Sequence, residues 1–264
     1  MSFVPMAAEP ATFEITEDAA LGGRLRLRQP KRGHRVGHDA ILLAAAAGAR
    51  SGERAVDLGA GVGAAGLALA ARVIGLNVTL VEIDRDLCGL AADNVRLNGL
   101  DERVRVVLGD AEDAEALAAG GLQAGTVDRV LMNPPFNSAG QQQASPDARR
   151  RRAHVGESGL LSRWVATAAT LLKPQGVLTL IWRADGLPEV RDALKQAFGS
   201  VAVLPVLPRD GADAIRVLVR AVKSGVAGEE TIYPPLSLND AHGKPTAAAE
   251  AVLRAGEALS IATI

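Results

Sequence analysis

The sequence predicts an α/β fold with one doubly wound, mostly parallel sheet of seven strands and helices on both faces. Short β-rich apolar runs alternate with Ala- and Leu-rich helical stretches through most of the 264 residues. Hydrophobic residues make up 48% of the chain and aromatic residues only 3%, a composition typical of helices packed on a parallel sheet. The last two predicted strands are joined by a linker too short for a crossover helix, so we expect them to form an antiparallel pair at the sheet edge.

The predicted elements follow in chain order. A helix over 39–49 precedes the first strand. The seven strands are predicted at 55–58, 78–82, 104–108, 129–132, 177–182, 201–206 and 215–222. The helices between them are predicted at 63–74, 86–98, 112–119, 159–172 and 188–198. We expect a single domain over 1–264, with an N-terminal extension and lead-in helix over 1–50, a Rossmann-like core over 51–223 and a C-terminal extension over 224–264.

Charge and cysteine content exclude several classes of protein. The formal net charge of -1 and pI near 6.4 argue against a broadly basic surface, so nucleic acid could be bound only by a local patch. The single cysteine, Cys88, excludes an intramolecular disulfide framework and a Cys-based zinc site, and is expected to be a small buried residue of a helix. Residues 1–10 do not resemble a signal peptide and the apolar run 40–49 is too short to cross a bilayer, so we expect a soluble cytoplasmic protein.

A glycine-rich turn follows the first core strand. Asp57 ends that strand and Gly59, Gly61 and Gly63 follow at alternate positions before a helix, where backbone can approach a ligand closely. Gly61 also begins the G-x-G-x-x-G pattern of dinucleotide-binding proteins, so the glycines alone decide little. A carboxylate here would repel a pyrophosphate but attract the cationic amino group of S-adenosylmethionine, which favours the latter cofactor.

Two further acidic residues stand at the ends of the next two strands. Glu82 could accept hydrogen bonds from both ribose hydroxyls, and Asp110 could accept one from the adenine amino group. We expect the adjacent residues Ala60, Ile83 and Ala111 to line the same site. The alternative is structural: the glycines would only form tight turns and the acids would only cap the following helices.

Asn133-Pro134-Pro135-Phe136 follows the fourth strand. A nitrogen conjugated with a ring or carbonyl is a poor nucleophile, and the Asn133 amide and Pro134 carbonyl could accept its two N–H bonds as a methyl group arrives. Asn133 could contact the cofactor as well, while Pro135 and Phe136 would contact a planar acceptor, Phe136 by stacking. The alternative is an Asx-type bend with Phe136 in the core.

A basic cluster, Arg149-Arg150-Arg151-Arg152 with His154, lies shortly after this motif. Such a cluster beside an acceptor site is what a polyanionic substrate needs, and RNA is the predicted partner. The alternative is a solvated loop. Neither His34 nor His38 has a metal-ligand spacing with other residues, so we predict no catalytic metal. We also predict no membrane partner, because the apolar run 40–49 is too short to cross a bilayer.

On these motifs the chain resembles the amino-methyltransferases marked by Asn-Pro-Pro-Tyr/Phe, and among them the bacterial tRNA1(Val) adenine-37 N6-methyltransferase family. The resemblance also rests on Gly33–Ala44, Ala153–Glu157 and Tyr233–Leu236. It implies a Rossmann-like seven-stranded S-adenosylmethionine-dependent methyltransferase fold with an antiparallel last strand. It also implies methylation of adenine N6 in tRNA, and adds Asp39 to the cofactor-binding residues.

Four other functions stay open at this point. A protein glutamine N5-methyltransferase would use the same Asn-Pro-Pro-Phe geometry, but would not need four consecutive arginines. A small-molecule O-methyltransferase would need a general base or a metal, for which the sequence shows no candidate. A nicotinamide-dependent dehydrogenase and a non-catalytic RNA-binding protein are the remaining alternatives.

Overall fold

The computed structural model describes residues 14–32, 35–135, 159–226 and 228–263. The strands within these ranges are β1 (Ile15–Ala20), β2 (Leu25–Pro30), β3 (Arg54–Leu58), β4 (Asn77–Glu82), β5 (Val104–Leu108), β6 (Val127–Met132), β7 (Leu172–Arg183), β8 (Phe198–Leu207), β9 (Arg216–Lys223), β10 (Glu230–Ile232) and β11 (Leu236–Ser237). The α-helices are α1 (His38–Ala46), α2 (Ala64–Arg72), α3 (Arg85–Leu97), α4 (Ala114–Ala119), α5 (Leu160–Leu171), α6 (Leu187–Leu194) and α7 (Ala247–Leu253).

The central sheet has the order β5-β4-β3-β6-β7-β9-β8. Strands β3 to β7 are parallel to one another, and β9 is antiparallel to both of its neighbours, β7 and β8. This confirms the predicted seven-stranded sheet and its reversed last strand. Within the predicted antiparallel pair β9 is the inner strand, and the outer edge of β8 pairs with the short strands β10 and β11, which the sequence analysis did not predict.

Two hydrophobic layers cover the faces of the sheet. On one face, residues such as Leu42 of α1 and Leu67 of α2 pack with Leu80 and Leu131 of the strands. On the other face, residues such as Trp164, Val165 and Leu171 of α5 pack with strand residues that alternate with the first set. Because both faces are covered, the inner strands β3, β4 and β6 are buried nearly throughout, which explains their continuous apolar runs.

Several predicted boundaries shift by a few residues. The helix predicted over 188–198 ends at Leu194, and Phe198 already begins β8, with its ring buried against the second layer. Cys88 lies in α3 as predicted but is half-buried rather than buried.

A hairpin of β1 and β2 precedes α1 and was not predicted. Its inner residues Leu25 and Leu27 are buried against the first layer. Side-chain amides of α3 hold it: Asn94 Oδ1 accepts from the Arg28 amide at 2.7 Å, and Asn98 Oδ1 accepts from the Arg26 amide at 2.9 Å. Asn94 Nδ2 also donates to the Val62 carbonyl at 2.9 Å, so one buried side chain joins the hairpin to the turn after β3.

Candidate functional site

The carboxyl ends of β3, β4, β5 and β6 lie side by side, because Leu58 is level with Val81 and Met132, and Glu82 is level with Leu108. In parallel sheets this edge gathers the ligand-binding loops. All of the sequence-predicted site residues that the structure describes, apart from Asp39 on α1, lie on β3, β4 or in the loops that follow β3, β4, β5 and β6. This edge, called the carboxyl edge below, is therefore the candidate functional site.

The turn after β3 is held by its backbone. The Ala60 amide donates to the Val81 carbonyl and the Gly63 amide to the Ala60 carbonyl, both at 2.8 Å. Gly59 has a φ of +69°, and a Cβ added there would overlap the indole of the buried Trp164 from α5. Gly61 has a φ of +58°, but a Cβ added there would meet nothing within 4 Å. The turn is therefore packed from beneath at Gly59 and open above Gly61.

Glu82, which is 7% exposed, connects the turn to the end of β4. Its Oε2 accepts from the Gly61 amide at 2.7 Å and its Oε1 accepts from the Asp84 amide at 2.8 Å. Each carboxylate oxygen has a second lone pair, so Glu82 keeps the capacity to accept two ribose hydroxyls. The two backbone bonds fix its orientation before any ligand binds.

Asp57 is only 2% exposed and lies beneath the turn rather than at its mouth. Its Oδ2 accepts from the Gly66 amide at 2.8 Å, in the first turn of α2, as expected for a carboxylate at a helix N-terminus. Burial raises the pKa of the Asp57 carboxyl to about 7, the bond from Gly66 opposes that rise, and the nearby charge of Glu82 adds to it. The charge of Asp57 therefore depends on whether a cation approaches.

The loop after β5 completes the cofactor side of the edge. Asp110 Oδ1 accepts from the Glu112 amide at 2.8 Å, and Ala111 is buried. Ile83, by contrast, is 63% exposed, although large apolar side chains on this sheet are otherwise mostly covered. This edge thus combines open space above Gly61, an exposed apolar side chain and acidic residues at three neighbouring strand ends. Such a set fits the amino-acid, ribose and adenine parts of S-adenosylmethionine.

The acceptor motif begins where β6 ends. Asn133 is half-buried, Pro134 is buried and Pro135 is exposed. Among the described residues no hydrogen bond is found for the Asn133 side chain. Phe136, Arg149 to Arg152 and His154 fall outside the described ranges, and their roles stay predictions.

Asp39 lies near the N-terminus of α1 and accepts from Arg216 Nε at 3.0 Å. Arg216 begins β9 and is paired with Arg183 at the end of β7, so the ion pair lies at the same carboxyl edge. A role for Asp39 in binding the cofactor stays a prediction.

Sequence reasoning missed two residues that shape this edge. Trp164 supports the turn at Gly59, and Asn94 holds the Val62 carbonyl. Neither has a local sequence signal, because each acts across a long sequence separation. A Trp in an otherwise Ala-rich helix was the only available hint.

The described part of the chain shows no group of three or more His, Cys, Asp or Glu side chains that could hold a metal ion. Within the same ranges no helix has the length and hydropathy needed to span a membrane. Two cavities, one beside Arg54 and Arg103 and one beside Arg220, open away from the carboxyl edge. The candidate site is instead formed by the turns and side chains at the four strand ends, with open space at Gly61.

Comparisons with known proteins agree with this geometry. The family model described as "Methyltransferase small domain" matches residues 35–206. A tRNA1(Val) (adenine(37)-N6)-methyltransferase of Shewanella amazonensis is 30% identical over 83% of this chain and 90% of its own length. One of Porphyromonas gingivalis is 32% identical over 60% of this chain, and the match spans 62% of that relative. A release factor glutamine methyltransferase of Chlorobaculum tepidum is 34% identical over 56% of this chain and 52% of its own length.

Among solved structures, a predicted O-methyltransferase from Agrobacterium tumefaciens superposes with a TM-score of 0.70 at 30% identity, covering 83% of this chain and 97% of that one. TYW2 of Pyrococcus horikoshii, in complex with MeSAdo, has a TM-score of 0.53 at 15% identity over 79% of this chain and 71% of its own, which supports the fold alone. The resemblance found in the motifs is confirmed by these matches.

Proposed function

Because this chain belongs to the methyltransferase small domain family, we propose that it methylates the exocyclic N6 nitrogen of an adenine in tRNA. It is an S-adenosylmethionine-dependent methyltransferase, and the acceptor is the proposed part. The observation that carries the proposal is Asn133-Pro134-Pro135 at the end of β6, beside β3 and the Gly61 turn that follows it. The names of the tRNA-modifying relatives support the same acceptor.

We assign cofactor binding to the backbone of Gly59, Ala60, Gly61 and Gly63 and to side chains of the neighbouring strand ends. When bound, S-adenosylmethionine supplies an electrophilic methyl group. Glu82 accepts hydrogen bonds from the ribose hydroxyls, and Asp110 accepts one from the adenine amino group. Ile83 and Ala111 pack against the adenine ring. Asp57 provides negative charge beneath the turn, toward the amino group of the methionine part. The positions and hydrogen bonds described above support these roles.

On the acceptor side we assign the chemistry to Asn133 and Pro134. An adenine amino nitrogen delocalises its lone pair into the ring, so it attacks only when its geometry moves toward tetrahedral. The Asn133 side-chain oxygen and the Pro134 carbonyl accept its two N–H bonds and favour that geometry. Alignment of nitrogen and methyl group supplies most of the remaining acceleration. The amino proton is then lost to solvent.

The predicted contacts of Pro135, Phe136, Arg149 to Arg152 and His154 with RNA belong to the same proposal. A tRNA acceptor also implies that the protein works in the cytoplasm, and we propose that residues 1–264 act there as one domain.

A protein glutamine amide is the second candidate acceptor. Its nitrogen is conjugated in the same way, so Asn133 and Pro134 could hold it equally well. The match to the release factor glutamine methyltransferase favours it, over about half of this chain. The two candidates differ in the macromolecule that binds and not in the chemistry of the site.

The deciding experiment is incubation with isotopically labelled S-adenosylmethionine and, in parallel, unmodified tRNA and release factor protein. Mass spectrometry of the digested nucleosides should show labelled N6-methyladenosine from tRNA, and the Asn133→Ala variant should lose it. Label found only on a glutamine of the protein substrate would overturn the tRNA assignment and support the second candidate.

A further inference from the structure

The hairpin of β1 and β2 differs in charge from the rest of the chain. From Glu14 to Arg35 it carries six arginine and lysine residues against three acidic residues, a net charge of +3 in a chain whose total is -1. The six cationic residues are Arg24, Arg26, Arg28, Lys31, Arg32 and Arg35. A local excess of this kind attracts a polyanion even when the whole protein does not.

Most of these cationic groups point to solvent. Arg26 and Arg28 alternate along β2 with the buried Leu25 and Leu27, so they share the outer face, where their side chains are 60% and 44% exposed. The Lys31 side chain is 57% exposed. Glu17 pairs with both Arg26 and Arg28, and Glu14 pairs with Lys31 at 2.9 Å. Exposed pairs of this kind contribute little to stability, so phosphate groups can replace the carboxylates at little cost.

The C-terminal end of β2 lies toward the carboxyl edge. Asn98, at the end of α3, bonds Arg26, and Asn94, one turn earlier, bonds Arg28, so β2 runs antiparallel to α3. Since α3 begins at the carboxyl edge, right after β4, β2 ends near that edge.

The described residues that follow positions 33 and 34 also lie along this edge. Arg35 lies three residues before His38, where α1 begins. Asp39 of α1 pairs with Arg216, which lies beside the end of β7. The other neighbour of β7 is β6, the strand that leads to Asn133. The basic end of the hairpin therefore faces the same opening as the acceptor motif.

We propose that the outer face of this hairpin, formed by Arg26, Arg28, Lys31, Arg32 and Arg35, binds the phosphate backbone of the RNA whose adenine enters the site. The inference rests on the proposed tRNA acceptor. The hairpin supplies sequence-independent affinity and orientation, while Asn133 and Pro134 act on the base. Asn94 holds the hairpin and the Gly61 turn in one rigid arrangement, so the RNA backbone and the methyl donor keep a fixed spacing.

The test compares two triple variants of equal charge. The first is Arg28→Gln/Lys31→Gln/Arg32→Gln, which leaves Arg26 to pair with Glu17. The control is Lys173→Gln/Arg191→Gln/Lys195→Gln, three cationic residues that are 44%, 40% and 71% exposed and ion-paired, away from the hairpin. Filter binding of unmodified tRNA over a series of salt concentrations measures affinity and its salt dependence. Calorimetry with S-adenosylmethionine checks that the cofactor site is intact.

We expect the hairpin variant to bind tRNA roughly tenfold to a hundredfold more weakly and the slope of log K against log salt to fall by about 0.9 for each lost duplex contact. The control variant and cofactor affinity should match wild type. A charge-conserving variant, Arg28→Lys/Lys31→Arg/Arg32→Lys, should restore binding, which excludes misfolding as the cause. Equal slopes for hairpin variant, control and wild type would overturn the hairpin inference while tRNA methylation stands. A wild-type protein that binds no tRNA would instead overturn the proposed acceptor.

Discussion

The two halves of the carboxyl edge are built differently. On the side of β3, β4 and β5, the acidic side chains are already bonded to backbone amides: Asp57 to Gly66, Glu82 to Gly61 and Asp84, and Asp110 to Glu112. On the side of β6, the Asn133 amide has no hydrogen bond among the described residues. The first half is thus oriented before a ligand arrives, whereas no described residue orients the Asn133 amide.

This difference separates cofactor binding, on the first side, from catalysis at the acceptor, on the second. A side chain that is fixed by backbone bonds binds one ligand shape with little loss of conformational entropy. An unbonded amide contributes nothing until the acceptor is in place, so its interactions can be made chiefly in the transition state. Substitutions on the first side should change cofactor affinity, and those on the second should change turnover. Four predictions test this division, from the largest expected effect to the smallest.

Replacing Asn133 by Ala should lower turnover by about a hundredfold to a thousandfold, the usual effect of removing one transition-state hydrogen-bonding group. S-adenosylmethionine affinity measured by calorimetry should stay unchanged. Asn77→Ala is a matched control, because Asn77 is exposed at the start of β4, the opposite end of that strand from the carboxyl edge. If Asn133→Ala turned over like Asn77→Ala, the division between the two halves would be wrong.

Gly59→Ala and Gly61→Ala form a pair that separates support from binding. Both force a left-handed φ on a residue with a Cβ, but only Gly59→Ala also collides with the Trp164 indole. We expect Gly59→Ala to lower the free energy of unfolding by about 2–4 kcal/mol, through backbone strain and overpacking together. Gly61→Ala should lower the free energy of unfolding by about 1–2 kcal/mol. Its main effect should be weaker cofactor binding, because its Cβ enters the open space above the turn. Denaturant titration and calorimetry measure the two effects, and equal losses of stability would contradict the packing argument.

Glu82→Gln should weaken S-adenosylmethionine binding by about 1.5–3 kcal/mol, the range for a hydrogen bond to a charged group. One of its two backbone partners, Gly61 or Asp84, would then face an amide NH₂ instead of an oxygen, so the turn also loses orientation. Turnover at saturating cofactor should change much less than affinity. A variant with wild-type cofactor affinity and reduced turnover would place Glu82 on the acceptor side of the comparison.

Cofactor affinity should rise about tenfold between pH 6 and pH 8, because the Asp57 carboxyl, whose pKa burial raises to about 7, gains its charge in this window and attracts the cationic amino group. In Asp57→Asn the side chain is isosteric but never charged, so this part of the pH dependence should vanish. Calorimetry at a series of pH values measures both. A wild-type curve that coincides with that of Asp57→Asn would show that Asp57 only holds the N-terminus of α2.

Much of the cofactor side could be predicted from the sequence, because its signals are local. Strand ends, alternate glycines and acidic residues lie within a few positions of one another, and parallel strands bring their carboxyl ends together. What could not be predicted is which backbone amide each carboxylate bonds, and the burial of Asp57, since Gly66 and Leu80 approach it only in the folded chain.

The missed elements have physical reasons too. Leu25 and Leu27 alternate with arginines over only four residues, and the partner strand β1 is rich in acidic and alanine residues, which rarely favour strands. β10 and β11 have three and two residues and exist only because β8 offers an open edge. Trp164 beneath Gly59 depends on how α5 packs, which no short window of sequence contains.

The position of β9 sets an order for folding. β7 and β8 are made before β9 during synthesis, yet β8 has no hydrogen-bonded neighbour among the earlier strands and β7 keeps one free edge until β9 fills the gap between them. A nascent chain that ends before Arg216 therefore exposes a long apolar strand edge, the kind of surface on which chains aggregate. Addition of β9, rather than completion of the Gly61 turn, is the event that joins β8 to the rest of the sheet.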